Sequence, residues 1–354
     1  MQPSFDIKAA TVDDTAPLEH VIMSYGTLDL VQRAQERLAQ AYLDEDIPVT
    51  LFYDSVSYNQ EEIMPRITDF RLSKQGVPLK HKGYVSDCPR DIGFFHDGSF
   101  FVYQGFLDTQ KDKDVARYGD LPRYLIGAFA SSGKIVSTPF EGGSMISNGE
   151  LLLIPLDKRN LDLEKATGLE TLPSGFGSFF HIDLIFNFVS KDTVLYHRGS
   201  LSPDVSLEFM PLLGLKETAD RLEKKLQSRG IDVIRADYAC SNASDSSSYL
   251  DQKLPKEDIE HLKHKISKRI PTLPLYANIV PTGSKLICID DQMTDQDLDM
   301  IGDISVGTQL SQRGYDVSLV DWKIDDGRGT PEGNLWRLGE RFAGPRCMTL
   351  PIRK

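Results

Sequence analysis

A succession of helix, turn and strand recurs along this chain and limits its fold more than any single motif does. Residues 215–238, LKETADRLEKKLQSRGIDVIRADY, place apolar side chains at helical spacing, then Arg229-Gly230, then an alternating strand. Residues 303–322 repeat the pattern with Arg313-Gly314 at the junction. Residues 27–54 do so with Pro48 opening the strand, and residues 120–140 with Gly133 at the turn. Glycine just past a helix end takes the left-handed conformation without steric cost. Four such units in one chain predict an internal repeat.

Between the units, a polar residue repeatedly stands before an apolar pair of strands. Asp91 precedes IGFF and SFFVY, joined by Asp97-Gly98, and Glu141 precedes GGSMIS and ELLLI, joined by Asn148-Gly149. His181 precedes IDLIFNFVS and TVLYH, joined by Lys191-Asp192; Asn278 precedes IVP and SKLICID, joined by Thr282-Gly283. Cys347 stands before MTLPI. Dipeptides such as Asp-Gly and Asn-Gly are the strongest short-range hairpin signals. If each unit is ββαβ and the units surround a pseudo-fivefold axis, Asp, Glu, His, Asn and Cys converge at one end of it. The expected fold class is therefore α/β, with residues 1–354 forming one domain and a Ser- and Asp-rich loop insertion near 241–258.

Composition narrows the partners. A net charge of −12 and the absence of a basic stripe argue against nucleic acid. The same acidity suits a small cationic substrate. No apolar run reaches the ~20 residues of a membrane span, and the N-terminal stretch MQPSFDIKAATVDDT lacks the features of a signal peptide. Cys88, Cys240, Cys288 and Cys347 are scattered, so neither a zinc site nor a disulfide framework is expected, and a cytoplasmic location fits best.

The blocks PRD (89–91), EGG (141–143), HID (181–183) and GPRCMTLP (344–351) resemble, in order, those of the guanidino-group-modifying enzymes. That superfamily includes arginine deiminases, agmatine deiminases, dimethylarginine hydrolases and amidinotransferases. The resemblance implies a five-bladed α/β propeller, the pentein fold, which agrees with the ββαβ repeat. It also places Cys347 as the nucleophile and His181 as the general acid and base. Asp91 and Asp183 match the carboxylates that grip the guanidinium, and Glu141 matches the one beside the histidine. Arg159 in LLLIPLDKRN lies within one residue of the spacing of an arginine that binds the substrate carboxylate in arginine deiminases. The tail PRCMTLP is nearest to arginine deiminases; HIDLIFNF is also similar to amidinotransferases, and EGG favours the hydrolases. The chain departs from bacterial arginine deiminases in lacking their long helical insertion between the first blocks. Its glycine-rich run before the cysteine is reduced to Ala343-Gly344.

These residue types suit the chemistry. A guanidinium is planar and resonance-stabilised, so its carbon is a poor electrophile; paired carboxylates fix its plane and a thiolate attacks perpendicular to it. The expectation is a cysteine-dependent hydrolase of a free guanidino compound, foremost arginine giving citrulline and ammonia, or ornithine by double hydrolysis. An amidinotransferase is the first alternative and a non-enzymatic binding module of the same fold the second. No metal or organic cofactor is expected, and homo-oligomerisation stays open. Each residue also has a plainer reading: Cys347 as a core thiol, His181 as a satisfied core histidine, the carboxylates as turn or strand-edge groups, Arg159 as a solvated side chain. Cys88, Cys240, Cys288 and His96 read as structural, and Trp322 and Trp336 as packing residues.

Overall fold

The computed structural model describes residues 7–25, 29–55, 67, 69–77, 88–107, 121–130, 133–176, 181–197, 210–236, 278–290, 306–321 and 345–354. The 241–258 insertion, Cys240, Trp322 and Trp336 lie outside them. Among the described residues, one helix–strand crossover is built five times. It first runs from β1 (Leu18–Ser24) through α1 (Asp29–Asp44) to β2 (Val49–Asp54), with β3 (Leu72–Val77) added beyond β2. The second sheet is β4 (Gly93–His96), β5 (Ser99–Tyr103) and, after α2 (Leu121–Ala130), β6 (Lys134–Thr138). The third is β7 (Ile146–Ser147), β8 (Leu151–Ile154) and, after α3 (Leu161–Thr167), β9 (Glu170–Pro173). The fourth is β10 (Phe186–Ser190), β11 (Thr193–His197) and, after α4 (Met210–Gln227), β12 (Asp232–Ala236). The fifth is β13 (Val280–Pro281), β14 (Leu286–Asp290) and, after α5 (Val306–Gln312), β15 (Val317–Asp321).

In every sheet the first pair is antiparallel and the strand after the helix is parallel. The first sheet takes its antiparallel member from the far end of the chain: β16 (Thr349–Arg353) pairs with β1, Ile22 facing Leu350 and Met23 facing Thr349. The α/β class is thus as expected, in five small sheets of which none closes into a barrel.

All four helix–turn–strand passages are present, and a fifth escaped the periodicity reading. Helix α3 buries only Leu163 and Thr167, too few apolar positions for a 3.6-residue pattern to declare itself. Its ends are fixed locally instead. Asn160 caps it, its Oδ1 accepting from the Leu163 N–H at 3.0 Å, and Gly168 ends it at φ 72°. The Asp97-Gly98 turn has positive φ at both residues, 44° and 65°, as a two-residue hairpin requires.

Buried faces join the sheets. Along β4 and β5, Phe94 and Phe101 stack at 4.7 Å and pack with Met145 and Leu152, whereas Phe95 and Phe100 stack at 4.6 Å and pack with Phe129 and Ile352. Successive side chains point to opposite faces of a strand, and here both faces are covered, which is why these strands read as continuous apolar runs. Strand β16 lies beside β4, and β10 lies beside both β7 and β13. The Leu18 N–H donates to the Thr282 carbonyl at 3.0 Å, linking the first sheet to the fifth. Ahead of the hairpins, three 3-10 turns, Pro89–Ile92, Gly142–Ser144 and Ile182–Leu184, pack one on the next. Gly142 makes the closest of these approaches: a Cβ there would stand 2.1 Å from the Arg90 carbonyl oxygen.

Candidate active site

Those 3-10 turns carry the polar residues. Asp91 lies within the first turn, Glu141 caps the second, His181 caps the third, and Asp183 lies inside the third. Cys347 occupies the turn before β16 and Asn278 stands just ahead of β13. The five repeat positions are not equivalent in register. Asp91, Asn278 and Cys347 precede their strands by two residues, but Glu141 and His181 precede theirs by five. In those two repeats the 3-10 turn fills the interval, so the side chain enters from the cap and not from the strand edge.

All five predicted catalytic side chains meet. His181 Nε2 lies 2.7 Å from Glu141 Oε2, and its Nδ1 lies 3.6 Å from Asp91 Oδ1. An ionised carboxylate only accepts, so Nε2 carries a proton and donates to Glu141. The imidazole also influences the Cys347 thiol electrostatically. Cys347 Sγ stands 3.9 Å from Asp183 Oδ2. Both Cys347 and Asp183 are buried, at 1% and 0% exposure, whereas the His181 and Glu141 side chains keep 15% and 16%, so solvent reaches the cluster from their side. Gly143, the second glycine of the EGG block, makes this convergence sterically feasible. A Cβ there would fall 2.8 Å from His181 Nδ1 and 2.9 Å from Asp91 Oδ1.

Charge sets the protonation states. Burial disfavours a charged imidazole, but Asp91, the thiol, Glu141 and Asp183 outweigh it and push His181 up to about 12. Burial, reinforced by the Asp183 charge, pushes the Cys347 thiol up to about 11 against the pull of His181. The resting pair is therefore imidazolium and neutral thiol. Burial also raises the Asp183 carboxyl, in spite of Arg346.

Behind the cluster lies a buried ionic network that the sequence reading did not single out. Arg346 Nη2 donates to Asp14 Oδ2 at 2.8 Å and to the Met145 carbonyl at 3.1 Å, and its Nε stands 3.3 Å from Asp183 Oδ2. Asp14 accepts further from the Ser147 N–H at 2.8 Å and faces Arg90 Nη2 at 3.5 Å. Burial opposes ionisation of Asp14, yet Arg346 and Arg90 hold its carboxyl below the usual range. Asp14 belongs to no hairpin start, so no repeat pattern pointed to it. Arg346 stood inside the PRC block and could have been read as part of the site.

Asp91, Glu141 and His181 each offer one donor atom, all within 4.8 Å of one another, a spacing open to a cation. Both imidazole nitrogens already face carboxylates there. Arg159 is placed differently from the other predicted residues. Its side chain is 54% exposed, and Nε and Nη2 both donate to Glu164 at 2.7 Å. His96 is structural, accepting from the Val12 N–H at 3.3 Å through Nδ1 and donating to the Thr167 carbonyl at 2.7 Å through Nε2. Among the described residues, Cys88, Cys288 and Cys347 form no disulfide.

Comparison with known proteins gives the fold a wider setting. No protein-family description matches the chain, and no curated protein matches its sequence. Solved structures do match. An agmatine deiminase from C. jejuni superposes with a TM-score of 0.59 at 15% identity, covering 98% of this chain and 96% of its own. The agmatine deiminase of Enterococcus faecalis gives 0.60 at 14% identity, covering 100% and 99%. An amidinotransferase of the saxitoxin pathway from Microseira wollei gives 0.51 at 10% identity, covering 98% and 97%. The chain shares the fold of these proteins. Among the described residues, no helix is long and apolar enough to cross a membrane.

Proposed function

We propose that the protein is a cysteine-dependent hydrolase of a small, free guanidino compound, working from one 1–354 domain whose five sheets are the blades of an α/β propeller. The observation that carries this reading is the meeting of the Cys347 thiol, the His181 imidazolium and three carboxylates at one point. Asp183 Oδ1 has no hydrogen-bond partner among the described residues and is buried. A buried carboxylate oxygen is costly to leave unmatched, and a guanidinium N–H would match it.

Substrate entry changes the balance at sulfur. A guanidinium seated between Asp91 and Asp183 offsets the negative charge that keeps the thiol protonated, so the thiol releases its proton to solvent as the site fills and the ammonia formed later carries one proton away as ammonium. Sulfur attacks the central carbon, and His181 donates a proton to the departing nitrogen. The amidino carbon stays bound to sulfur as a thiouronium. The histidine, now neutral and still held by Glu141, takes a proton from water as its oxygen attacks the same carbon. Collapse of that adduct breaks the C–S bond and returns the thiol. For arginine the balance is one water consumed, with citrulline and ammonia formed.

Arginine is the first substrate we propose, with double hydrolysis to ornithine as a related outcome. Agmatine is the second reading. It is favoured by the structural likeness to agmatine deiminases and by the engagement of Arg159 with Glu164, which an arginine carboxylate would have to displace. Transfer of the amidino group to an amine is the third, supported by the likeness to an amidinotransferase. The test is a product assay with arginine and with agmatine, each with and without glycine as acceptor. A ureido product and ammonia without glycine mark the hydrolase. Product only with glycine marks the transferase, and none under any condition sinks the proposal.

A further inference from the structure

We propose that Asn278 is a positioning residue for the nucleophile, holding both the backbone turn and the sulfur of Cys347 through one side-chain amide. The proposal rests on Cys347 being the attacking group. It adds a residue with no charge of its own.

The amide uses every hydrogen-bonding position it has. Oδ1 accepts from the Arg346 N–H at 2.8 Å and from the Cys347 N–H at 3.2 Å. Nδ2 donates to the Asp183 carbonyl at 3.2 Å and to Cys347 Sγ at 3.3 Å. These partners fix the amide orientation. Turned over, it would set NH2 against two N–H donors and its oxygen against a carbonyl and sulfur. The residue is 1% exposed, so no water competes for these bonds.

Its place in the repeat explains why this amide reaches sulfur. Asn278 precedes β13 by two residues, as Cys347 precedes β16. Two neighbouring hairpin starts therefore face each other in matching register, one bearing the thiol and the other the amide. An N–H donated to a thiol is weak, and one donated to a thiolate is a charge-assisted bond. The contact thus strengthens as the sulfur ionises and weakens once sulfur is bonded to carbon. In a site that burial makes hostile to an anion, it takes the part that water plays for an exposed thiolate. The bond to the Asp183 carbonyl ties the same amide to the turn carrying a guanidinium-gripping carboxylate, so sulfur and substrate plane share one frame.

The experiment requires no turnover, so it separates this role from the choice of substrate. Wild-type protein, Asn278→Ala and Asn278→Ser are alkylated with iodoacetamide at mildly alkaline pH, and each cysteine is followed by peptide mass spectrometry. A donor to a charged group is worth about one to two pKa units. Cys347 alkylation is therefore expected to slow about 10- to 100-fold, with Cys88 and Cys288 unchanged. Cys288 is 1% exposed inside β14 and reports folding, whereas Cys347, equally buried, opens toward the His181 and Glu141 side chains, which keep 15% and 16% exposure. If Ala lets Cys288 react, the Ser variant carries the test, since its hydroxyl still accepts from a backbone N–H. Wild-type reactivity at Cys347 in a variant whose Cys288 stays protected overturns the proposal. Where turnover is measured as well, kcat falls while KM holds, a split that a loss of packing alone does not produce.

Discussion

Gly143 has no room for a side chain, because the missing Cβ is the space in which His181 and Asp91 meet. Its φ is not among the positive values, so alanine would test space and not backbone strain. Gly143→Ala is expected to displace the imidazole and lower kcat about 100-fold, with only a small change in melting temperature. Steady-state kinetics beside a thermal melt would check this; undiminished kcat would show that the ring has room to move. Cys347→Ala is expected to abolish turnover while leaving the fold intact, and retained activity would refute the covalent route. Arg346 presents the opposite balance. Its guanidinium joins Asp14 to Asp183 at 3% exposure, and removing one partner of a buried ionic group costs about 3–5 kcal/mol. Arg346→Met is therefore expected to appear first as lost stability in urea unfolding, and a wild-type midpoint would contradict that.

At the scale of elements, local chemistry fixed the hairpins and crossovers wherever a turn residue announced itself. Asp97-Gly98 and Arg229-Gly230 were legible because the conformations they require are nearly confined to such residues, and Gly230 does take φ 78°. Helix α3 was not legible, since its apolar face is little more than Leu163. Such a helix depends on its cap. Asn160→Ala is expected to cost about 1 kcal/mol, read as a lower urea midpoint at unchanged slope; no shift would mean that packing under Leu163 suffices. The 3-10 turns were also missed, and with them the reason why Glu141 and His181 stand further from their strands than Asp91 does. A three-residue turn has no period to detect, and its existence depends on the neighbouring turn against which it packs.

For the whole molecule, the buried charges make stability a function of pH. His181 is raised from 6.5 to about 12, so the stability it contributes is complete below pH 6.5 and is lost as pH climbs toward 12. The Cys347 thiol, raised from 9.0 to about 11, adds to the loss between those values because the unfolded chain ionises first. His20 acts in the other direction. Burial lowers it from 6.5 to about 4, so its neutral form favours the fold and stability falls as pH drops through that window. The melting temperature is accordingly expected to peak near pH 6.5. His181→Asn should flatten the alkaline limb, and an equally steep limb in that variant would place the cause elsewhere.

What the sequence determined by itself follows from short-range physics. Glycine and Asx turns set the hairpins, apolar spacing set four of the five crossover helices, and polar residues before strands marked where polar side chains gather. These signals act over a few residues, so a single chain displays them. Tertiary structure alone decided the rest. It brought Asp14 between Arg346 and Arg90 and placed Asn278 against sulfur. Each of these depends on a distance between segments up to hundreds of residues apart, which only the packing of one sheet on the next can fix. Protonation belongs there as well. A cysteine and a histidine look ordinary in sequence, and it is burial beside three carboxylates that leaves one a thiol and the other an imidazolium.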